Sequence, residues 1–171
     1  VVAFFRDGCF GSGKERRSIN LRKTYAFRKG GLTLDYEIEN KDRFPAAFRM
    51  FTEMNLAAGF EPELVGLCAV QGHLELPLDS SRSSITEDAT GLRISNLRHE
   101  ERIEARSDRP FSLSHSPCFT LTEIGAEIGA ENGGGPNGAK RYQGCRILIG
   151  WDLDIPTDTS QRFSITLELR S

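Results

Sequence analysis

The sequence has little that would anchor chemistry. Its 171 residues include one Trp, three Tyr, two Met and three His, and the four Cys stand far apart. No two cysteines form a Cys-x-x-Cys unit, so neither a zinc knuckle nor a dithiol redox motif is present. No apolar run approaches the roughly 20 residues of a membrane-spanning helix. Val1 to Phe5 is too short for the core of a secretory signal. Charge of one sign is missing too. A formal charge of -2 and a pI near 6.0 give no long-range pull towards nucleic acid or an anionic membrane, and both partners are disfavoured.

Catalytic patterns are equally scarce. Ser12 lies in Gly-Ser-Gly and Ser114 beside His115, but neither sits in a nucleophile-elbow motif. His73, His99 and His115 make no His-x-x-x-His pair, so no metal is expected. Glycosidic chemistry needs two carboxylates across a cleft, and with 24 acids in the chain a pair could always be picked. The sequence therefore predicts no catalytic residue, no metal and no cofactor.

What is abundant is alternation. In Phe48-Arg49-Met50-Phe51-Thr52-Glu53-Met54-Asn55-Leu56-Ala57 every second side chain belongs to one of two sets. Phe48, Met50, Thr52, Met54 and Leu56 suit a core. Arg49, Phe51, Glu53 and Asn55 present a cation, a ring, a carboxylate and an amide. The pattern predicts a long central strand. Ile19 to Phe27 alternates likewise and, through Lys29-Gly30-Gly31, leads into Leu32, Leu34, Tyr36 and Ile38 as a hairpin. Its Lys and Arg residues read as a solvated face that protects an edge.

Further along, Gly59 to Ser84 is a loose excursion with one short strand near Leu64 to Val70. Gly91 to Leu97, Arg98 to Ser107 and Arg109 to Leu121 read as three short strands. Gly129 to Gly138 is a flexible connection that lacks the Gly-Lys-Ser/Thr ending of a phosphate loop. Arg141 to Ile155 and Arg162 to Ser171 close the chain as strong strands. Many alternating strands with almost no helical period imply an all-β protein, a large antiparallel two-sheet sandwich.

The length suits one domain, and a chain of this size buries about 70% of its unfolded surface without metal or disulfide. Because it starts at Val1 in mid-pattern, residues 1–171 are expected to be a single β-sandwich domain excised from something larger. Two disulfides are possible on the count of Cys9, Cys68, Cys118 and Cys145. Isolated cysteines in apolar strands are expected to be small buried thiols instead, which points to the reducing cytoplasm.

A sugar hydroxyl wants planar hydrogen-bonding groups, and the C–H face of a sugar ring wants an aromatic surface. Arg49, Phe51, Glu53 and Asn55 supply both on one strand face, although Arg49 and Glu53 could simply satisfy one another. Tyr142 and Trp151 could stack on a sugar, yet Trp151 shares its face with Ile149 and Leu153, which favours a core role. Gln143, next to Gly144, is a pocket amide or a turn residue. These seven residues are the candidate carbohydrate contacts.

The runs Leu21-Arg22-Lys23-Thr24-Tyr25, Leu32-Thr33-Leu34-Asp35-Tyr36-Glu37-Ile38-Glu39-Asn40 and Phe51-Thr52-Glu53-Met54-Asn55-Leu56 resemble the C-terminal β-sandwich domain of glycoside hydrolase family 57 enzymes, of the α-amylase and 4-α-glucanotransferase type. Tyr142-Gln143-Gly144 through Trp151-Asp152-Leu153 looks like that domain's last hairpin. The resemblance covers most of the chain and implies a galactose mutarotase-like supersandwich. It further implies a noncatalytic domain whose partners are an N-terminal catalytic barrel and an α-glucan or oligosaccharide. Two alternatives remain: a small mutarotase-like enzyme with Glu53 as base and His73 or His115 as acid, or a purely structural interaction domain.

Overall fold

The computed structural model describes residues 1–11, 16–56, 62–122 and 139–170. Among them are ten strands: β1 (Val2–Phe10), β2 (Arg17–Arg28), β3 (Gly31–Asn40), β4 (Ala46–Leu56), β5 (Val65–Gln71), β6 (Leu74–Leu78), β7 (Ser84–Asn96), β8 (Glu101–Thr122), β9 (Ala139–Ile155) and β10 (Ser160–Arg170). All pairings are antiparallel. The expected two-sheet sandwich is therefore the observed architecture. Ser12, Ala57, Gly59, Gly129 to Gly138 and Ser171, for which the sequence sets expectations, lie outside the described residues.

A large sheet runs in the order β1-β2-β3-β10-β8-β7-β5-β6, and a small one in the order β4-β9-β8-β7. β7 and β8 belong to both. Residues 102–107 of β8 pair with β10, and residues 112–122 pair with β9. β7 follows the turn through register shifts on either side of Ala89, where Asp88 adopts a φ of 55°. The alternation of Arg98 to Ser107 and Arg109 to Leu121 had suggested two strands, but they form one strand of 22 residues. Pro110 divides them in sequence without dividing them in space. It lies between the two ladders, where a missing N–H costs no cross-strand bond.

The β2–β3 hairpin forms as expected, with Gly30 in the left-handed region at a φ of 74°. Its inward residues Leu34, Tyr36 and Ile38 meet Phe163 and Ile165 of β10, and Trp151, Ile149 and Ile147 of β9. Trp151 is enclosed by aromatic rings, 4.6 Å from Phe163, 5.9 Å from Tyr36 and 6.2 Å from Phe111 between centroids. One buried polar contact joins the sheets directly: Tyr36 Oη and Thr52 Oγ1 are 2.7 Å apart.

Two readings need correction. β4 is an edge strand, not a central one, because β9 is its sole strand partner among the described residues. Alternation reports that one face is buried; it cannot report whether one or two strands flank it. The excursion before Ser84 holds a β5–β6 hairpin rather than one strand, its second arm shortened and roughened by Pro77. β1 was not anticipated at all.

The crossing from β3 to β4 depends on Asn40, which is fully buried. Its Nδ2 donates to the carbonyls of Phe44 at 2.8 Å and Ile155 at 3.0 Å, and its Oδ1 accepts the Asp42 N–H at 2.9 Å. On the outer face of the large sheet, Glu104 is 5% exposed and faces Arg106 at 3.0 Å, Arg102 at 3.3 Å, Arg93 at 3.5 Å and Arg170 at 3.6 Å. Burial pushes its carboxyl up, but the four guanidiniums prevail and hold it below the usual glutamate range.

Two outcomes follow for thermal unfolding. Asn40→Ala strands the buried Ile155 carbonyl, the Phe44 carbonyl and the Asp42 amide, lowering stability by about 3 kcal/mol, whereas Asn40→Asp, which aims a carboxylate at those carbonyls, lowers it further. Glu104→Gln lowers stability by about 2 kcal/mol at neutral pH. Because folding favours the ionised form, this contribution is present above the ordinary carboxylate pKa of about 4.3. It is lost as pH falls from there through the lowered folded value, so the gap between the parent and Glu104→Gln melting temperatures narrows progressively on acidification.

Candidate functional site

The register of β4 against β9 decides which predicted residues meet. Odd-numbered β4 residues face outward and are exposed, while Phe48, Met50, Thr52, Met54 and Leu56 face the core. The two-set reading of this strand holds from Phe48 to Leu56. Arg49, Phe51, Glu53 and Asn55 lie in one line across from Asp152, Gly150, Leu148 and Arg146.

Each of the four has a defined posture. Arg49 makes a bidentate pair with Asp152, Nε to Oδ1 and Nη2 to Oδ2 both at 2.6 Å, rather than pairing with Glu53. The hydrogen bonds to Arg49 hold the Asp152 carboxyl below its usual range, and the same bonds raise the guanidinium. Phe51 stays 52% exposed with its ring against Gly150, so close that a Cβ there would lie 2.6 Å from Cε1. Only a glycine opposite leaves room for the ring to lie in this position. Asn55 Nδ2 donates to Glu53 Oε1 at 3.0 Å, which sets carboxylate and amide side by side.

β8 extends this surface with residues the sequence reading did not single out for it. Ser112, Ser114 and Ser116 pair with Gly150, Leu148 and Arg146, adding a row of hydroxyls behind the β9 line. The signal was present as Ser-x-Ser-x-Ser, but nothing in the sequence placed β8 next to β9. The result is a sheet face bearing one ring, two carboxylates, one amide, three hydroxyls and two guanidiniums. Such a surface can hydrogen-bond a polyol and cover one apolar ring face; it assembles no convergent acid and base.

The other three candidates lie elsewhere. Trp151 is 2% exposed inside the aromatic cluster, so it cannot stack on a ligand. Its strand parity with Ile149 and Leu153 decides the matter in favour of the core. Tyr142 is 4% exposed, against Phe119, and its hydroxyl has no partner in hydrogen-bonding geometry among the described residues. Burial, with the neighbouring Cys145 and Cys118 thiols, pushes that phenol up to about 12. Gln143 is exposed and sits at the register shift where β9 bulges against Cys118 and Phe119, so it is part of a bulge rather than a turn.

Glu53 does not converge with either histidine. His115 is buried on the core side, Nδ1 3.0 Å from Ser84 Oγ and Nε2 3.0 Å from the Asp79 carbonyl. His73 lies in the β5–β6 turn, on the far side of the large sheet. There it borders a groove of about 380 Å³ with Glu75, Thr90, Arg93, Glu104 and Arg106. Both carboxylates of this groove are committed to ion pairs, Glu75 with Arg93 at 2.7 Å and Glu104 with its four arginines. A second cavity, about 400 Å³, is almost purely apolar and opens between the sheets at Leu32, Met54, Leu56, Ile94, Ile103 and Leu167. Among the described residues all four cysteines are free thiols; Cys145 alone is buried, Cys68 and Cys118 are half-buried and Cys9 is exposed.

No family model and no curated protein matches the sequence. Solved structures do match in fold. A 4-α-glucanotransferase from Thermococcus litoralis overlays 97% of this chain with a TM-score of 0.66 at 13% identity. A galactose mutarotase-like protein from Lactobacillus casei overlays 98% at 0.57 and 12% identity, covering 70% of that chain. A candidate aldose 1-epimerase from Escherichia coli K12 overlays 98% at 0.58 and 8% identity, covering 65% of that chain. The chain spans 20% of the length of the glucanotransferase. At these identities the likeness is one of fold: a mutarotase-like antiparallel sandwich that makes up part of each of these longer chains.

Proposed function

We propose that this chain is a noncatalytic, carbohydrate-associated domain of a larger α-glucan-acting enzyme, of the α-amylase or 4-α-glucanotransferase kind grouped in glycoside hydrolase family 57. The observation that carries the reading is the overlay of 97% of the chain on only 20% of a glucanotransferase. In that arrangement the catalytic carboxylates belong to a barrel that this domain buttresses, and its own polar face extends the glucan path. Four free thiols suit the reducing compartment in which the sequence reading placed it.

The outer face of β4 is the proposed glucan contact. Phe51 offers its ring to the apolar face of a glucose unit, while Glu53 and Asn55 bind adjacent hydroxyls and Arg49 stays braced by Asp152. The shallow shape suits a long chain that touches several residues weakly better than a monosaccharide that needs enclosure. A mutarotase-type reaction is the weaker reading, since Glu53 and His115 lie on opposite faces of the small sheet and the groove carboxylates are neutralised by arginine.

Titration of the purified domain with maltoheptaose, followed by calorimetry and chemical shifts, tests the reading. Binding is expected at roughly millimolar sugar, with Phe51→Ala weakening it about fivefold, the scale of one lost aromatic contact. Glu53→Ala is expected to weaken it while leaving the melting temperature unchanged. Absence of binding at saturating sugar would leave a purely structural domain. Hydrolysis of maltooligosaccharides, or accelerated anomerisation of fresh α-glucose by polarimetry, would overturn the noncatalytic reading.

A further inference from the structure

We propose that the apolar cavity between the sheets, together with a basic hollow that adjoins it at the Lys29-Gly30-Gly31 turn, binds one free, single-chain carboxylate of about 12 to 16 carbons. Aliphatic walls and a mouth beside two unpaired cations carry the inference.

The cavity follows from where side chains are missing. The β2–β3 hairpin turns on Gly30 and Gly31, and neither gives a side chain to the mouth. Gly31 is fixed as glycine by its pairing with β10, since a Cβ there would lie 2.7 Å from the Leu167 carbonyl oxygen. On the floor, Ala105 of β8 presents only a methyl group between its partners in register, Leu92 of β7 and Leu167 of β10. Met54 and Leu56 of β4 form the roof. The hollow runs from surface to core, because Leu169 at one end is 62% exposed and Leu92 at the other is 1% exposed.

Close-packed interiors leave few voids larger than a water molecule. This cavity, about 400 Å³, is more than twice the ~150 Å³ of an apolar cavity that stays dry and takes up benzene. Scaled from benzene, it accepts about 12 to 16 carbons in one chain. Its walls of Leu, Ile and Met carry no aromatic ring, so they suit a flexible alkyl chain better than a sugar or a flat ring. A membrane lipid brings two chains on one head group and would leave the second in water, which favours a free single-chain molecule.

Charge selects the head group. On the outer side of the same turn a hollow of about 230 Å³ shares Gly30, Gly31, Leu32, Leu167, Glu168 and Leu169 with the cavity. Arg28, Lys29, Thr33, Thr166 and Arg170 complete it. Arg170 is committed to Glu168 at 2.6 Å. Arg28 and Lys29 are exposed, with no carboxylate in ion-pairing distance among the described residues. A chain end that leaves the cavity past the glycines therefore meets two cations and two hydroxyls, the surroundings that a carboxylate needs and an amine does not. The site is separate from the polar face of β4, since Met54 and Leu56 point inward and Glu53 and Asn55 outward.

The test is titration of the purified, methyl-labelled protein with carboxylates from octanoate to hexadecanoate, below their micelle concentrations. Affinity is expected to rise about fourfold with each added methylene. It should level off between about 12 and 16 carbons, with shifts at the methyls of Met54, Leu92, Ile94 and Ile103. The double variant Arg28→Gln, Lys29→Gln should bind dodecanoate about fivefold more weakly and dodecanol unchanged, a contrast that impaired folding would not produce. Affinity that keeps climbing past about 16 carbons, shifts at exposed Phe4 and Phe5 in place of the cavity methyls, or no binding at millimolar decanoate would overturn the proposal. So would sedimentation with phosphatidylglycerol vesicles that dodecanoate does not compete away, since the turn would then dock on a bilayer.

Discussion

The architecture depends on one constraint: the β7–β8 hairpin belongs to both sheets. Joined through that hairpin, the layers are fastened along one side and must separate along the other. The fastened side holds the bulge at Asp88 and the crossing at Pro110; between the layers lie the rings around Trp151. The open side is where, among the described residues, β4 ends the small sheet above a large sheet two strands wider. The exposed polar face of β4 arises from that single asymmetry.

Much of the fold was legible because alternation is a local property. The β2–β3 hairpin, both faces of β4, and the long β9 and β10 strands could each be read from a dozen residues. What could not be read was adjacency. That β4 lies at an edge, that β8 changes sheets at Pro110 and that Ser112, Ser114 and Ser116 line up behind Gly150 all depend on residues distant in sequence. The candidate site shows the same division. Arg49, Phe51, Glu53 and Asn55 share one strand face, as their alternation indicated, whereas the burial of Tyr142 against Phe119 depends on the register of β8 and β9. Trp151 turned inward because its neighbours of equal parity are isoleucine and leucine.

The charges are arranged by pairing rather than by patches. Arg49 faces Asp152, Arg162 faces Glu37, and Arg93, Arg102, Arg106 and Arg170 gather about Glu104. Within the basic run of the N-terminal third, Arg22 lies near Glu37 and Lys23 sits over the rings of Tyr25 and Tyr36. This arrangement engages basic residues near both ends of the chain with carboxylates on neighbouring strands. It also leaves Glu53 unusual, as an exposed carboxylate on a strand edge whose nearest polar partner is a neutral amide.

The pairing of β4 with β9, and of β3 with β10, has a consequence for how the chain is made. Both early strands find these partners only near residues 145–168, so the N-terminal hairpin and β4 leave the ribosome long before anything can cover them. At ordinary rates of synthesis that interval is on the order of ten seconds, during which an apolar, alternating strand without a gatekeeping proline or lysine stays unpaired. Nascent-chain chaperones should therefore engage this protein around residues 46–56 and release it only as the last two strands emerge.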